Sequence, residues 1–489
     1  MLVALPLALL AVAAAALLVK WPVRWAQALI WILVLQNVVV IALWKVTGSD
    51  ALGQDLLYAK EVFIAGAGAV AVVLALREAI AGRLPAVLWI AVAFGVVCVA
   101  WVPISYLRHE GLEQIARGLR SLVYPVLLLL VGAVAVSGMR AAVAVRATLW
   151  WSSVVLGATA VIERTFIPLR FWVDLGLDQY WVAVRGQSRE MLNGALPWNF
   201  YLPLFGNTVR RAFGIMTDPL DLSYFLLLPL ALAIAEMWRA RMSGERMPRL
   251  AAAAALASAL GITFSLSRLP IGVAGALIVV APLIALGLGR RLWQPALGWA
   301  AVSAAAFVAI LSISVATTPS VGGADIAARA PVNEGSSGAH VVSLLRATDV
   351  GPLIIGRGLG TAGYLSSKYA ASGADIGYEN PYLDAAGQVG VLGGLLLAAL
   401  LVVSTLLLLF RAPAEAMAIT LPTGVTLGML AAGGFLSGQL EVITSLGPTW
   451  LFTGVALSLC VASRARQEAP AQARTEPEPS LRAPTPAQR

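Results

Sequence analysis

The chain has 489 residues, 60% of them hydrophobic and only 12% charged, with a mean hydropathy of +0.85; these values exclude a soluble globular protein and fit a polytopic membrane protein. A formal net charge of +9 would suggest a nucleic-acid partner in a soluble chain, but here the basic residues lie in short stretches between apolar runs, which points to membrane topology instead. Two cysteines, Cys98 and Cys460, and two histidines, His109 and His340, stand far apart in sequence, so neither a disulfide framework nor a metal cluster is expected, and no cofactor.

A bilayer core needs about 20 apolar residues per helix. In chain order the apolar runs are 2–19, 25–44, 62–76, 84–103, 121–138, 147–162, 220–237, 250–266, 270–289, 296–316, 386–410, 416–433 and 448–463. The predicted fold class is therefore an all-α polytopic membrane protein of about 12 to 13 transmembrane helices. The first run lacks a basic n-region and a small-residue cleavage site, so no cleavable signal peptide is expected. Six segments follow: N-terminal helices over 1–162, a long loop over 163–219, central helices over 220–316, a second long loop over 317–385, C-terminal helices over 386–463, and a tail over 464–489. Rich in Pro, Ala and charge, the tail is expected to be disordered.

Alternate connections carry Lys20 and Arg24, Arg77 and Arg83, Arg140 and Arg146, Arg239 to Arg249, Arg290 and Arg291, Arg411, and Arg464 with Arg466, and few acids. The other set mixes signs: Lys45, Asp50, Asp55 and Lys60; Arg108, Glu110, Glu113 and Arg117; and the two long loops. The positive-inside rule places both long loops outside the cytoplasm and the C-terminus inside. A count of thirteen leaves the N-terminus outside, and a count of twelve brings it in.

Four arginines fall at the outer ends of helices or in the outer loops. Arg211 opens RAFGIMTDP before the seventh run, Arg268 ends the short turn SLSR, and Arg346 and Arg357 frame RATDVGPLIIGRGLG. Guanidinium groups match phosphate through a planar fork of donors, so several converging outside the membrane would suit a pyrophosphate. Arg268 can equally snorkel to lipid headgroups, and Arg211 can serve as a helix-end anchor. Gly358, Gly360 and Gly363 form a G-x-G-x-x-G pattern with no βαβ unit around it; the loop is either a backbone anion nest or plain flexible chain. The first long loop is aromatic, with Phe171, Trp172, Tyr180, Trp181, Trp198, Phe200 and Tyr201, which suits sugar faces but more often the membrane interface.

The segment from Glu379 to Gly394, ENPYLDAAGQVGVLGG, joins a polar start to a glycine ladder and an apolar run. Glu379 can act as a general base toward a sugar hydroxyl or cap a helix N-terminus. Asp384 and Asn380 lie beside it, and His340 in SSGAHVV is a further candidate base.

Together these motifs resemble the bacterial O-antigen ligase and envelope polysaccharide polymerase family. Its ligases have a histidine, then Asn, Ser or Gln, nine residues, and a G-x-x-G entering a helix. Asn380, residues 381–389, Gly390 and Gly393 fit that pattern, while Glu379 stands where the histidine would be. RAFGIMTDP resembles the family's R-x-x-G segment, SLSR its short S-R turn, and PLIIGRGLG its P-x-x-G-x-G loop. The likeness covers roughly residues 200–400. It implies a metal-independent glycosyltransferase of GT-C-like fold in the bacterial cytoplasmic membrane, acting at the outer face on an undecaprenyl-pyrophosphate-linked glycan donor and a glycan acceptor. By position, Arg211 and Arg268 would hold pyrophosphate, Arg346 and Arg357 would support it, and Glu379 would be the catalytic base, with His340, Asn380 and Asp384 in support. A chain-length regulator and a flippase are the protein partners it implies. The His-to-Glu departure favours a polymerase over a ligase that moves a finished glycan to lipid A-core, another envelope polymer or a protein. A transporter is the non-enzyme alternative, disfavoured because the apolar runs are nearly free of charge.

Overall fold

The structure, a computed structural model, describes residues 4–108, 110–187, 189, 192–193, 196–204, 207–287, 293–316, 350–362, 380–434, 440 and 442–468. Among them the architecture is helical: α1 Ala4–Lys20, α2 Pro22–Thr47, α3 Asp50–Ile80, α4 Ala86–Leu107, α5 Leu112–Leu130, α6 Met139–Phe166, α7 Leu169–Leu175, α8 Leu177–Ala183, α9 Pro219–Met242, α10 Arg249–Phe264, α11 Arg268–Gly287, α12 Trp293–Ala316, α13 Val350–Ile355, α14 Pro381–Val389, α15 Val391–Phe410, α16 Met417–Gly433 and α17 Ile443–Glu468. Among the described residues nine of these are long and apolar enough to cross a membrane, and shorter apolar stretches occur in α1, α10, α11 and α12. The chain is thus an all-α polytopic membrane protein. Every apolar run of the sequence overlaps helix among the described residues.

Several helices, α2, α3, α6 and α9 among them, are longer than the runs that announce them. Ser49 caps α3 by accepting from the Leu52 amide at 3.2 Å, so Asp50, Asp55 and Lys60, expected in a connecting loop, lie on helix instead. From Glu61 to Ile80, α3 rises ~30 Å, the depth of a hydrocarbon core; its first turns project beyond that depth. The expected span 386–410 is two helices, α14 and α15, broken at Gly390, whose φ of 82° favours glycine. Gly393 and Gly394 serve the same fold-back, because a Cβ on either would meet Val389 Cγ2 at 2.2 Å or the Tyr382 carbonyl at 2.7 Å. At the C-terminus α17 runs to Glu468, so Arg464 to Glu468 are helical rather than tail. The remainder of the tail lies outside the described residues.

α9 and α17 are the most buried of the nine long helices, and their N-termini meet at one end of the bundle, where Thr444 Oγ1 donates to Asp221 Oδ2 at 3.0 Å. Over that end sits the first long loop, which forms a small folded cap rather than a loose segment. It comprises α7, α8 and two antiparallel hairpins, β1 Leu192–Asn193 with β2 Leu196–Pro197, and β3 Tyr201–Leu204 with β4 Asn207–Arg210. Tyr180, Trp181, Phe200, Tyr201 and Phe213 pack with Val40, Ile41 and Trp44 from α2 in a core of their own, in edge contacts such as Phe200 on Phe213 at 4.9 Å. Most of these rings are thus core, not an interface belt. Phe171, by contrast, is 46% exposed. Burial pushes the Tyr201 hydroxyl up to about 12, against the pull of nearby Arg210.

Candidate active site at the capped end

The RAFGIMTDP strip and the SLSR turn are knitted together. The Arg211 amide donates to Phe200 O at 2.8 Å and the Ala212 amide to Phe264 O at 3.0 Å. The buried Arg211 side chain then donates from Nε to Ser265 O at 2.8 Å, from Nη1 to Asn199 O at 2.8 Å and from Nη2 to Ser267 Oγ at 2.6 Å. Ser267 Oγ in turn donates to Pro219 O at 3.3 Å. Leu266 (φ 51°) and Thr217 (φ 58°) are the two non-glycine residues with positive φ among the described residues, and both sit in this knot. Such backbone persists only where its surroundings over-determine it. Arg211, expected to hold pyrophosphate, binds the turn together through its side chain. The turn displays Arg268, the first residue of α11, which is exposed and has no hydrogen bond or ion pair among the described residues.

A buried ionic layer supports the knot. Glu163 accepts from the Phe213 amide at 3.2 Å and pairs with Arg210 at 3.2 Å. Arg210 also donates to the carbonyls of Glu163 and Ile167 at 3.0 and 2.7 Å. Arg164 donates to Phe264 O and lies over the Phe264 ring.

The α16 terminus connects this turn to the start of α14. A Cβ on Gly433 would lie 3.5 Å from Leu269 Cδ2, and one on Gly434 would lie 3.3 Å from Pro381 Cγ. Between them lies a small apolar crevice lined by residues including Tyr224, Leu269, Val273, Met429, Gly433 and Leu440. Its walls come from α9, α11, α16, Leu440 and the start of α17. α14 begins beside Gly434 and is capped by Asn380, which accepts from the Tyr382 and Leu383 amides at 3.0 and 3.1 Å. Asn380 Nδ2 is buried without a partner among the described residues. Asp384 lies fully buried one turn on, and Tyr382, its hydroxyl raised to about 12 by burial, donates to Ala431 O at 2.6 Å. Glu379, Arg346 and His340 lie outside the described residues.

The glycine loop has a different purpose from either expected one. The amides of Arg357, Gly358, Leu359 and Gly360 donate to Gly387 O, Gln388 O, Ser105 Oγ and Gln388 Oε1 at 2.7 to 3.1 Å, so these four N–H groups form no nest for an anion; Gly363 lies outside the described residues. The loop is a fitted wedge instead of flexible chain. Arg108 Nη1 clamps the Gly356 and Arg357 carbonyls at 2.9 and 2.8 Å, and a Cβ on Gly360 would stand 2.2 Å from Gln114 O. Glu110 packs against Gly358; desolvation holds its carboxyl above the usual range, opposed by the Ser105 hydroxyl and Arg108. Arg357 is thereby fixed between α4, α5 and α14.

A second polar group, absent from the sequence-based candidates, faces the other side of the α9 N-terminus. Glu61 pairs with Arg120 at 2.8 Å and with Lys60 at 3.7 Å. Arg185 from the cap donates to Asn37 Oδ1 at 2.9 Å, while Asn37 Nδ2 donates to Met216 O. Lys60 lies within electrostatic range of Arg120, Arg185 and Asp221. The missed signal is the Ser49–Asp50 capping pair, which extends the helical pattern back through Lys60 and Glu61. No family model matches the chain, and no curated protein matches its sequence.

Proposed function

We propose that the chain is a membrane glycosyltransferase that polymerises glycan repeats carried on a polyprenyl pyrophosphate, at the outer face of a bacterial cytoplasmic membrane. The observation that supports this most is the exposed guanidinium of Arg268, without a partner among the described residues, directly before Leu269 in the lining of a small apolar crevice. An amphiphile with an anionic head and a hydrocarbon tail matches that pairing. Arg268 binds the pyrophosphate and neutralises the charge it gains as the glycosyl–oxygen bond breaks. Glu379, directly before Asn380 and the capped start of α14, takes the proton from the acceptor hydroxyl as the new glycosidic bond forms. Arg211 acts through the turn and is a positioning residue. Arg357 and Arg346 contribute positive charge from the second outer segment.

Complementation in a polymerase-deficient host tests this. Arg268→Ala and Glu379→Gln, each inserted at wild-type level, should leave single lipid-linked repeats. Accumulation of long lipid-linked chains would make the protein a ligase. Wild-type polymer from both variants would remove the assignment.

A further inference from the structure

We propose that Lys60 and Arg120 form a second pyrophosphate site, which receives a lipid-linked acceptor in the reaction proposed above, on which this inference rests. The two cations share one carboxylate: Glu61 pairs with Arg120 at 2.8 Å and lies 3.7 Å from Lys60. Arg185 brings a third positive charge within electrostatic range of Lys60. Asp221 is a second carboxylate in the same range, and it accepts from Thr444 at 3.0 Å. Even counted with Asp221, positive charge is in excess among the described residues. A surplus charge partly withdrawn from water is costly until an anion meets it.

Donors are unspent as well. Lys60 Nζ donates to Leu57 O at 2.9 Å and Arg120 Nη1 to Glu61 Oε1 at 2.8 Å, so most of their N–H groups have no acceptor among the described residues. A guanidinium fork beside an ammonium suits the clustered oxygens of a pyrophosphate. These donors are reachable: the Arg120 side chain is 24% exposed and that of Lys60 11%. They lie ~30 Å along α3 from Ile80, one hydrocarbon thickness and hence the depth of lipid phosphates. A phosphate carried on a lipid arrives at that depth from the membrane surface and needs exposed donors, not an enclosed cavity.

The placement suits two lipid-linked substrates. Arg185 bonds Asn37, which bonds Met216 O at one end of the strip Met216–Pro219; Ser267, beside Arg268, bonds Pro219 O at the other. The two cationic sites thus flank the N-terminus of α9. Polymerisation joins substrates that each carry a pyrophosphate, and two separate sites hold both at once.

Binding of farnesyl pyrophosphate to the full-length protein in phosphatidylcholine nanodiscs tests the inference. Wild type should bind two equivalents. Lys60→Gln and Arg120→Gln should each weaken one of them about tenfold, the worth of one charge-assisted hydrogen bond, and leave the other intact; Arg268→Ala should weaken only that other. The equivalent retained in each variant shows that it is folded. Glu61→Gln gives the test its sign: loss of the negative charge should tighten the second site at least about threefold, and weaker or unaltered binding, the result expected of a purely structural ion pair, overturns it. Survival of all wild-type binding in both Lys60→Gln and Arg120→Gln also overturns the second site; if Arg268→Ala abolishes that binding, the donor reading stands. A single equivalent lost in Lys60→Gln and Arg120→Gln but not in Arg268→Ala keeps the site and removes the donor reading, and no binding at all removes both. Discs containing phosphatidylglycerol separate substrate from headgroup: if this lipid displaces the second equivalent, the group is a headgroup anchor and the inference falls.

Discussion

Replacing Arg211 by lysine separates a guanidinium that builds the site from one that touches substrate. The charge is kept and the planar fork is lost. Arg211 serves three acceptors in three places, Ser265 O, Asn199 O and Ser267 Oγ, and a single ammonium on a flexible stem satisfies one of them. Hydrogen bonds from a charged donor contribute about 1.5 to 3 kcal/mol each, so two lost bonds around a buried side chain should cost about 3 to 5 kcal/mol. Thermal unfolding of the purified protein in nanodiscs should therefore fall clearly for Arg211→Lys, with activity lost alongside. Arg268→Ala, at an exposed side chain without a partner among the described residues, should stay within about 0.5 kcal/mol of wild type while activity disappears. A lysine variant that melts like wild type yet makes no polymer would refute this reasoning and make Arg211 a direct ligand of the anion.

Three other expectations follow from the same geometry. Gly360→Ala should be strongly disruptive, because φ is +77° and the new methyl would press on Gln114 O at 2.2 Å; about 1 to 3 kcal/mol of strain should appear as faster proteolysis between α13 and α14. Glu110 has a folded-state pKa above its unfolded one, so its contribution is present below the ordinary carboxylate pKa and is lost as pH rises through the raised value. Glu110→Gln should thus raise thermal stability at pH 7 by less than about 1 kcal/mol, the group being only partly buried, and leave it unchanged near pH 4. Gly433→Leu should fill the crevice beside Leu269 and raise the KM for a polyprenyl-linked donor with little effect on kcat; an unchanged KM would detach the crevice from the substrate.

What could be read from the sequence was the part governed by solvent. Hydropathy registers the stretch of helix in hydrocarbon, which is why 62–76, 147–162 and 220–237 fall inside α3, α6 and α9. It does not register where a helix ends, so Lys60, Glu61, Glu163 and Arg164 lay beyond its reach as members of helices. Arg268 and Asn380 were legible because each belongs to a short local motif. The Glu61–Arg120 and Arg185–Asn37 pairs join residues 59 and 148 positions apart, and such pairing is a tertiary event with no local trace. The aromatic loop was misread for a related reason: Trp and Tyr are chosen equally by an interface and by a small core, and only packing tells them apart.

The position of these charges also bears on chemistry versus transport. A carrier places ionisable groups near the bilayer midplane, where both sides take turns to reach them. In α3, α6 and α9 the charged residues instead bracket apolar stretches: none lies between Glu61 and Arg77, between Arg146 and Glu163, or between Asp221 and Glu236. At the far end Arg146 and Arg239 are paired with Glu236 at 2.8 and 2.9 Å. Those at the capped end surround the α9 N-terminus, where Arg268 is exposed and has no partner among the described residues. An exposed guanidinium at one end fits a reaction completed on one face, as proposed above. It gives a solute no charged stepping stone across these three helices.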